Sequence, residues 1–301
     1  MKRKDTISPS QIRSMDCRLA WHWGYSEGFK PKRSSQALEL GSGLHHALEA
    51  YYARQEDPVR VFQTWADKRI KDINSQWDDE IKELNDMKTL GAGMLSGYVG
   101  TYHGKDPFTV IATEKTISRP LPNPNGKGFA KCLMTVRLDG LVRCHETGKL
   151  FSLEHKSFSR FSLGDIEIDP QFTAQIWVGR SLVDELDLGE EIVGTLWNGM
   201  RKQLPGPKVK LALFERHRIY RNEAQINSFL LAAYHMWKDS KKWVIFPQPS
   251  ARKCSGCDYK EPCTAFQRGD DYMFLLQNSF TKRGEPQQTT LLTEESSSDI
   301  S

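Results

Sequence analysis

Between residues 108 and 157 the chain changes from a helical to a strand-like texture, and that change restricts it to folds that mix the two. Phe108–Thr113 and Cys132–Val136 are apolar and β-branched, with a Pro/Gly/Asn-rich loop between them at 120–128. A third run, Leu150–Ser157, follows the step Thr147-Gly148, which predicts a tight turn because Gly tolerates positive φ. Ahead of these runs, residues 34–55 place apolar side chains at near-helical spacing behind a Ser-Ser start, although Gly41 and Gly43 weaken the helix locally. From Val59 to Tyr102 the helical period continues, with Trp65, Ile70, Ile73, Trp77, Ile81 and Leu84 mostly at three- and four-residue steps. Beyond the strands, 170–186 predicts a helix, 191–198 and 211–220 predict strands, and 222–240 predicts an amphipathic helix. The order is helix, three strands, helix, two strands, helix: an α/β core.

A chain of 301 residues can bury a large core and sits near the size at which domains split, so one elaborated domain or a core with an insertion is expected. With 38% hydrophobic and 27% charged residues it should fold as a soluble protein. The net charge of +4 permits nucleic acid as a partner without arguing for it. Basic clusters at Arg201–Lys210 and Lys238–Lys242 could gather positive charge beside a site, or simply face solvent. No apolar run is long enough to span a bilayer and the N-terminus lacks a signal-like apolar stretch, so a cytoplasmic protein without membrane partners is expected. Thiols stay reduced there, and the six cysteines read as metal ligands or buried residues, not disulfides. The expected division is a helical region at 1–105, a core at 106–245, a cysteine segment at 246–268 and a polar tail at 269–301. From Gln287 that tail is Gln/Thr/Ser/Glu-rich and reads as disordered or as a docking segment.

The chemistry centres on Asp139 and Glu154-His155-Lys156. Side chains two apart in a strand share a face, so Glu154 and Lys156 point the same way. If the two strands form a hairpin with an even-numbered loop near Thr147, Asp139 joins them; an odd loop would send it to the other side. Two converging carboxylates are costly to bury, and a hard divalent cation relieves their repulsion. Mg²⁺ or Mn²⁺ can activate a water and stabilise charge on a phosphate, with the lysine positioning that water: the chemistry of phosphodiester hydrolysis. Glu-X-Lys is also a common surface ion pair. The apolar settings Val-Arg-Leu-Asp139-Gly-Leu-Val and Phe-Ser-Leu-Glu154 favour a functional role.

At these residues the chain resembles the RecB-like branch of the PD-(D/E)XK nucleases, over roughly residues 10–268. The resemblance implies a restriction-endonuclease-like core, a central mixed sheet flanked by helices. Gly41-Ser-Gly-Leu-His45 is similar to the family's upstream Gly-x-x-x-His element, which makes His45 a third metal ligand, with His46 its rival by position. The backbone carbonyl of His155 is implied as a further ligand. Gln171, in Asp169-Pro-Gln-Phe-Thr-Ala-Gln175, matches the family's Gln-x-x-x-Tyr helix, but Gln175 stands where Tyr is usual. The strand Gly194-Thr-Leu-Trp-Asn-Gly-Met resembles viral members, which would place the protein in a host cytoplasm.

Cys254-Ser-Gly-Cys257 and Cys263 bring three sulfurs close in sequence, and a fourth must come from elsewhere. By resemblance to the iron-sulfur RecB-like nucleases, in CRISPR adaptation and in bacterial helicase-nucleases, that fourth ligand is Cys17. The implied centre is a [4Fe-4S] cluster stapling the N- and C-terminal parts; four thiolates equally suit Zn²⁺. Cys132 and Cys144 fall on predicted strands and read as core residues.

Two functions follow. One is a metal-dependent DNA exonuclease or other nuclease, acting in recombination, repair or replication through Asp139, Glu154, Lys156 and Gln171, on single-stranded DNA or duplex ends. A recombinase, a helicase or a single-strand-binding protein would be its partner. The other is a module on the same fold that grips DNA or protein without turnover, its cysteine centre purely structural.

Overall fold

Most of the sheet follows the change of texture. The computed structural model describes residues 5–33, 35–72, 78–207, 209 and 212–283. Ser34, Ile73, Trp77, Lys208, Lys210, Leu211 and the tail from residue 284, including everything from Gln287, lie outside the described residues. The chain opens with β1 (Asp5–Ile7), α1 (Pro9–Ser14), α2 (Arg18–Trp21), a π-helical turn (His22–Ser26) and β2 (Phe29–Pro31). Three long helices follow: α3 (Gln36–Arg54), α4 (Pro58–Asp72) and α5 (Asp78–Tyr102). Then come β3 (Phe108–Pro122), β4 (Phe129–Cys144), β5 (Leu150–Phe158), α6 (Leu163–Ile168), α7 (Pro170–Glu185), β6 (Ile192–Arg201), β7 (Phe214–Tyr220) and α8 (Glu223–Ser240). The C-terminal part holds α9 (Ala251–Cys254), α10 (Lys260–Arg268), α11 (Tyr272–Ser279) and β8 (Phe280–Lys282).

The chain divides into two compact units, Met1–Met15 with Ser34–Trp243 and Asp16–Arg33 with Val244–Ser301. In the larger, a mixed sheet runs β1-β4-β5-β6-β7, with β3 also paired to β4. β1 is parallel to β4 and β5 to β6; the other pairings are antiparallel. Helix α7 packs across β3 to β6, and α3 packs against β3 and β5. The expected α/β fold, a central mixed sheet flanked by helices, is what the chain forms.

Local chemistry explains the elements that position the site. Ser35 caps α3 by accepting the backbone N–H of Leu38. Leu40, Leu44, Ala47 and Leu48 of α3 bury against Phe62 and Ala66 of α4 and against Met94, Leu95 and Tyr98 of α5, each large side chain worth about 1.5–3 kcal/mol. Gly43 does not break α3 but lets α4 approach: a Cβ there would lie 2.6 Å from both Phe62 and Trp65. Asp169 caps α7 by accepting the N–H of Gln171, and Pro170 occupies the first helical position.

The β4–β5 hairpin has the register of an even-numbered loop. Gly140 faces Leu153 and Arg143 faces Leu150, so by extension Asp139 stands opposite Glu154.

The division into units differs from the one expected. Residues 16–33 join the C-terminal segment because Leu19, Trp23 and Phe29 bury with Leu276 and Phe280, and β2 pairs antiparallel with β8. The first part of the expected polar tail is ordered, as α11 and β8, with Leu276 at 0% and Phe280 at 5% exposure. Strand β1 was not foreseen, since three residues are too few to show a period. No helix among the described residues is long and apolar enough to cross a membrane.

Candidate active site and cysteine pocket

A cavity of about 630 Å³ in the larger unit is bordered by His45, His46, Asp139, Glu154, His155, Lys156 and Gln171, so every site residue expected outside the cysteines meets there. Asp139 and Glu154 are 8% and 2% exposed. The Asp139 carboxylate lies 3.1 Å from His45 Nδ1 through one oxygen, and its other oxygen accepts the backbone N–H of His155 at 2.7 Å. Glu154 Oε1 meets the Lys156 ammonium at 2.5 Å and accepts from Gln171 at 2.8 Å, while Oε2 accepts from Gln175. Lys156 also donates to Gln171 Oε1 at 3.2 Å, closing a ring of three side chains.

His45, not His46, is the histidine whose ring nitrogen lies against Asp139. Gln175 is fully buried and holds Glu154, so the amide does at this position what its place in the helix asks of it.

The tightest ligand group includes a residue the sequence did not reveal. One ligand atom each from His45, Glu114 and Asp139 lie within 4.8 Å of one another. Glu114 adopts φ 47°, a left-handed conformation uncommon outside glycine, and pairs with Arg137. Such strain concentrates at functional sites. Glu154 stands outside that group because Lys156, Gln171 and Gln175 draw its carboxylate toward themselves.

The electrostatics fit two acids competing for one cation. Burial pushes the Glu154 carboxyl up, and the Asp139 charge adds to this, beyond what Lys156 and Gln175 offset. Burial acts on Asp139 in the same sense, but the hydrogen bond and charge of His45, with help from His155, hold it below the usual carboxylate range. His45 is held above its ordinary value: burial opposes this, and the bond to Asp139 with the charges of Asp139 and Glu154 outweighs it. Glu114 is raised by burial and by Asp139, against the pull of Arg137. A hard divalent cation satisfies such oxygen-rich donors with one histidine.

Behind this pocket the His155 side chain points away from its neighbours Glu154 and Lys156, as alternation along a strand requires. Its ring stacks on Tyr52 at 5.7 Å and 9°, and Nδ1 lies 2.7 Å from Asn198 Nδ2. Asn198 also accepts from Arg216 Nε at 2.9 Å and donates to Tyr98 at 2.8 Å, and Arg216 pairs with Asp106 at 2.6 Å. Burial pushes the His155 imidazole down to about 3, so it is a neutral acceptor in this network. A residue's N–H and C=O leave a strand on the same side, so the carbonyl of His155 faces the edge where its N–H meets Asp139.

In the smaller unit, Cys17, Cys254, Cys257 and Cys263 border one cavity of about 190 Å³ together with Trp23, Pro249 and Tyr259. All four are free thiols. Burial pushes the Cys257 and Cys263 thiols up, and Cys17 and Cys254 add to the shift in both. Cys254 Sγ accepts the Ser250 N–H and Cys263 Sγ accepts from Gln267, each at 3.3 Å. Among the described residues no three of these sulfurs lie within 4.8 Å of one another, so they share a cavity without converging. Cys132 and Cys144 are buried, at 0% and 5% exposure, as core residues should be.

A family model described as the PD-(D/E)XK nuclease superfamily matches residues 6–264. No curated protein matches the chain. Among solved structures, a provisionally named exonuclease from Eubacterium rectale is similar over 86% of this chain and 88% of its own, at 13% identity and a TM-score of 0.47. A likeness of that degree says nothing about activity.

Proposed function

Since the chain belongs to the PD-(D/E)XK nuclease superfamily, we propose that it is a metal-dependent DNA nuclease of the RecB-like branch that hydrolyses phosphodiester bonds from strand ends. The observation that carries this reading is the meeting of His45, Asp139, Glu154 and Lys156 around one pocket, with Glu114 close to His45 and Asp139 and both buried carboxylates already held by hydrogen bonds. His45, Asp139, Glu154 and the His155 carbonyl would hold Mg²⁺ or Mn²⁺, with Glu114 as a further oxygen donor. When bound, the ion lowers the pKa of a water and stabilises charge on the phosphate. Lys156 positions the attacking water and offers its ammonium to the developing negative charge. Gln171 and Gln175 fix the Glu154 carboxylate, so little reorganisation remains at the moment of reaction.

The four-cysteine pocket is proposed to hold an iron-sulfur cluster with a structural role. The same four thiolates would suit tetrahedral Zn²⁺ or a [4Fe-4S] cluster, and the resemblance to the iron-sulfur RecB-like nucleases favours the cluster. Backbone and amide donors to Cys254 and Cys263 are the kind of contact that tunes such clusters.

The test is digestion of end-labelled single-stranded and duplex DNA with Mg²⁺ and with Mn²⁺. Release of nucleotides from one end, abolished by chelator, is expected. Protein that binds DNA yet releases nothing with either ion would instead be the non-catalytic module. Anaerobic preparations should be brown and contain iron and sulfide; colourless protein with stoichiometric zinc would overturn the cluster alone.

A further inference from the structure

A second cavity in the larger unit, about 340 Å³, shares two residues of its lining, Arg137 and Gln171, with the metal pocket. It lies where β4 loses its partners on one side. β1 pairs with residues 132–134 and β5 with 140–143, with Asp139 still opposite Glu154, so residues 135–138 have neither strand beside them. An unpaired strand edge presents backbone N–H and C=O groups. Hydroxyl and guanidinium side chains border it: Ser8, Ser10, Thr116, Thr135, Arg13 and Arg137.

The side chains along β3 and β4 step from one cavity to the other. Glu114 and Asp139 form the carboxylate pair, Thr116 stands opposite Arg137, and Ser118 stands opposite Thr135 with their hydroxyls 2.8 Å apart. Acidic donors suited to a cation thus give way to donors suited to phosphate oxygens. Gln175 supplies the sign of an absent partner. It is fully buried, borders this cavity and uses its amide N–H on Glu154, while its Oε1 has no hydrogen-bond partner among the described residues. A buried carbonyl oxygen calls for a donor.

We propose that this cavity is a nucleotide subsite, taking the nucleotide next to the phosphate seated in the metal pocket. The reading rests on the nuclease assignment for the identity of the ligand. Arg13 and Arg137 hold the phosphate, and the hydroxyls of the lining support them. Arg13 is tethered to Asp169 at 2.7 and 2.9 Å, yet 55% of its side chain is exposed and open to a ligand. The volume, about 340 Å³, lies at the lower end of small-ligand sites, about 300–1,000 Å³.

The test is anisotropy of a fluorescein-labelled twelve-residue oligothymidylate with the full chain, using Ca²⁺ in place of the catalytic ion, for wild type, Arg13→Ala, Arg13→Lys and Ser10→Asp. Arg13→Ala should weaken binding about 5- to 10-fold and reduce the slope of log affinity against log salt by roughly 0.7, one phosphate contact on a single strand. Arg13→Lys should restore the slope. Ser10→Asp, an added charge at an exposed position in the first turn of α1 where an acid does not harm the helix, should also weaken binding. Wild-type affinity and slope in both Arg13→Ala and Ser10→Asp would overturn the subsite. DNA digestion by wild type together with that result would sink the subsite and leave the nuclease standing. Weakened binding by Arg13→Ala in a protein that never cuts DNA would sink the nuclease and leave the subsite.

Discussion

The two candidate inorganic centres are built in opposite ways. In the larger unit the donors arise on neighbouring strands and one helix, and each buried carboxylate already has partners at hydrogen-bond distance. In the smaller unit the sulfurs come from short helices and loops drawn from chain segments more than 200 residues apart, and they share a cavity without converging. A hairpin fixes register locally, so a site built on one is preorganised by the fold. A site assembled from short distant segments leaves the final gathering of ligands to the group it binds. The first centre should therefore survive loss of its metal as a folded pocket, while the second should depend on its contents for stability.

The largest effect expected is on catalysis. Asp139→Asn or Lys156→Ala should slow DNA hydrolysis by about 10³-fold or more while the circular dichroism spectrum stays that of wild type. Cutting at a near wild-type rate by either variant would break the comparison at its first member. Next, Cys263→Ser should lose the bound inorganic group and lower Tm by roughly 10 °C, whereas Asp139→Asn should hold Tm within about 3 °C. Equal Tm values for the two variants would show that both centres play the same structural part. Asn198→Ala removes the partner of the His155 ring and should weaken Mn²⁺ binding about 10-fold by calorimetry, because groups behind a ligand orient it. An unchanged affinity would mean that strand pairing alone holds the His155 backbone.

A further effect is on pH. The folded protein holds the His155 imidazole down at about 3, while the unfolded chain titrates near 6.5, so the unfolded state binds more protons between those values. Stability in EDTA should rise with pH through that window and be lost as pH falls from about 6.5 toward 3, by at most about 1.4 kcal/mol per pH unit from this group. His155→Gln should flatten that dependence in urea unfolding between pH 7 and 5. Identical slopes for variant and wild type would show that other groups set the acid sensitivity.

What the sequence made legible follows how locally each feature is encoded. Glu154 and Lys156 could be placed together from strand alternation, and Asp139 with them on the condition that the turn at Thr147-Gly148 is even-numbered, because one short turn sets their register. Glu114 could not, because a long Pro/Gly/Asn loop separates its strand from Asp139 and a charged residue in Thr-Glu-Lys looks like ordinary surface. The network of Tyr52, Tyr98, Asp106, Asn198 and Arg216 joins four elements and the loop before β3, and leaves no periodic trace in the chain. Helix α11 was read as tail because its neighbourhood is polar, although Tyr272, Leu276 and Phe280 carry the apolar contacts that tie it to Trp23 and Phe29. Gln175 looked like a departure from a pattern and turned out to hold Glu154, a role that only the partner's position could reveal.

The most direct measurement is anomalous scattering from a crystal grown with Mn²⁺. The account predicts a manganese peak about 2.1 Å from carboxylate oxygens of Asp139 and Glu154, with His45 Nδ1 within ligand distance and Lys156 turned toward the open side. Asp139 and Glu154 well ordered with no manganese between them, at concentrations that saturate the protein elsewhere, would contradict it.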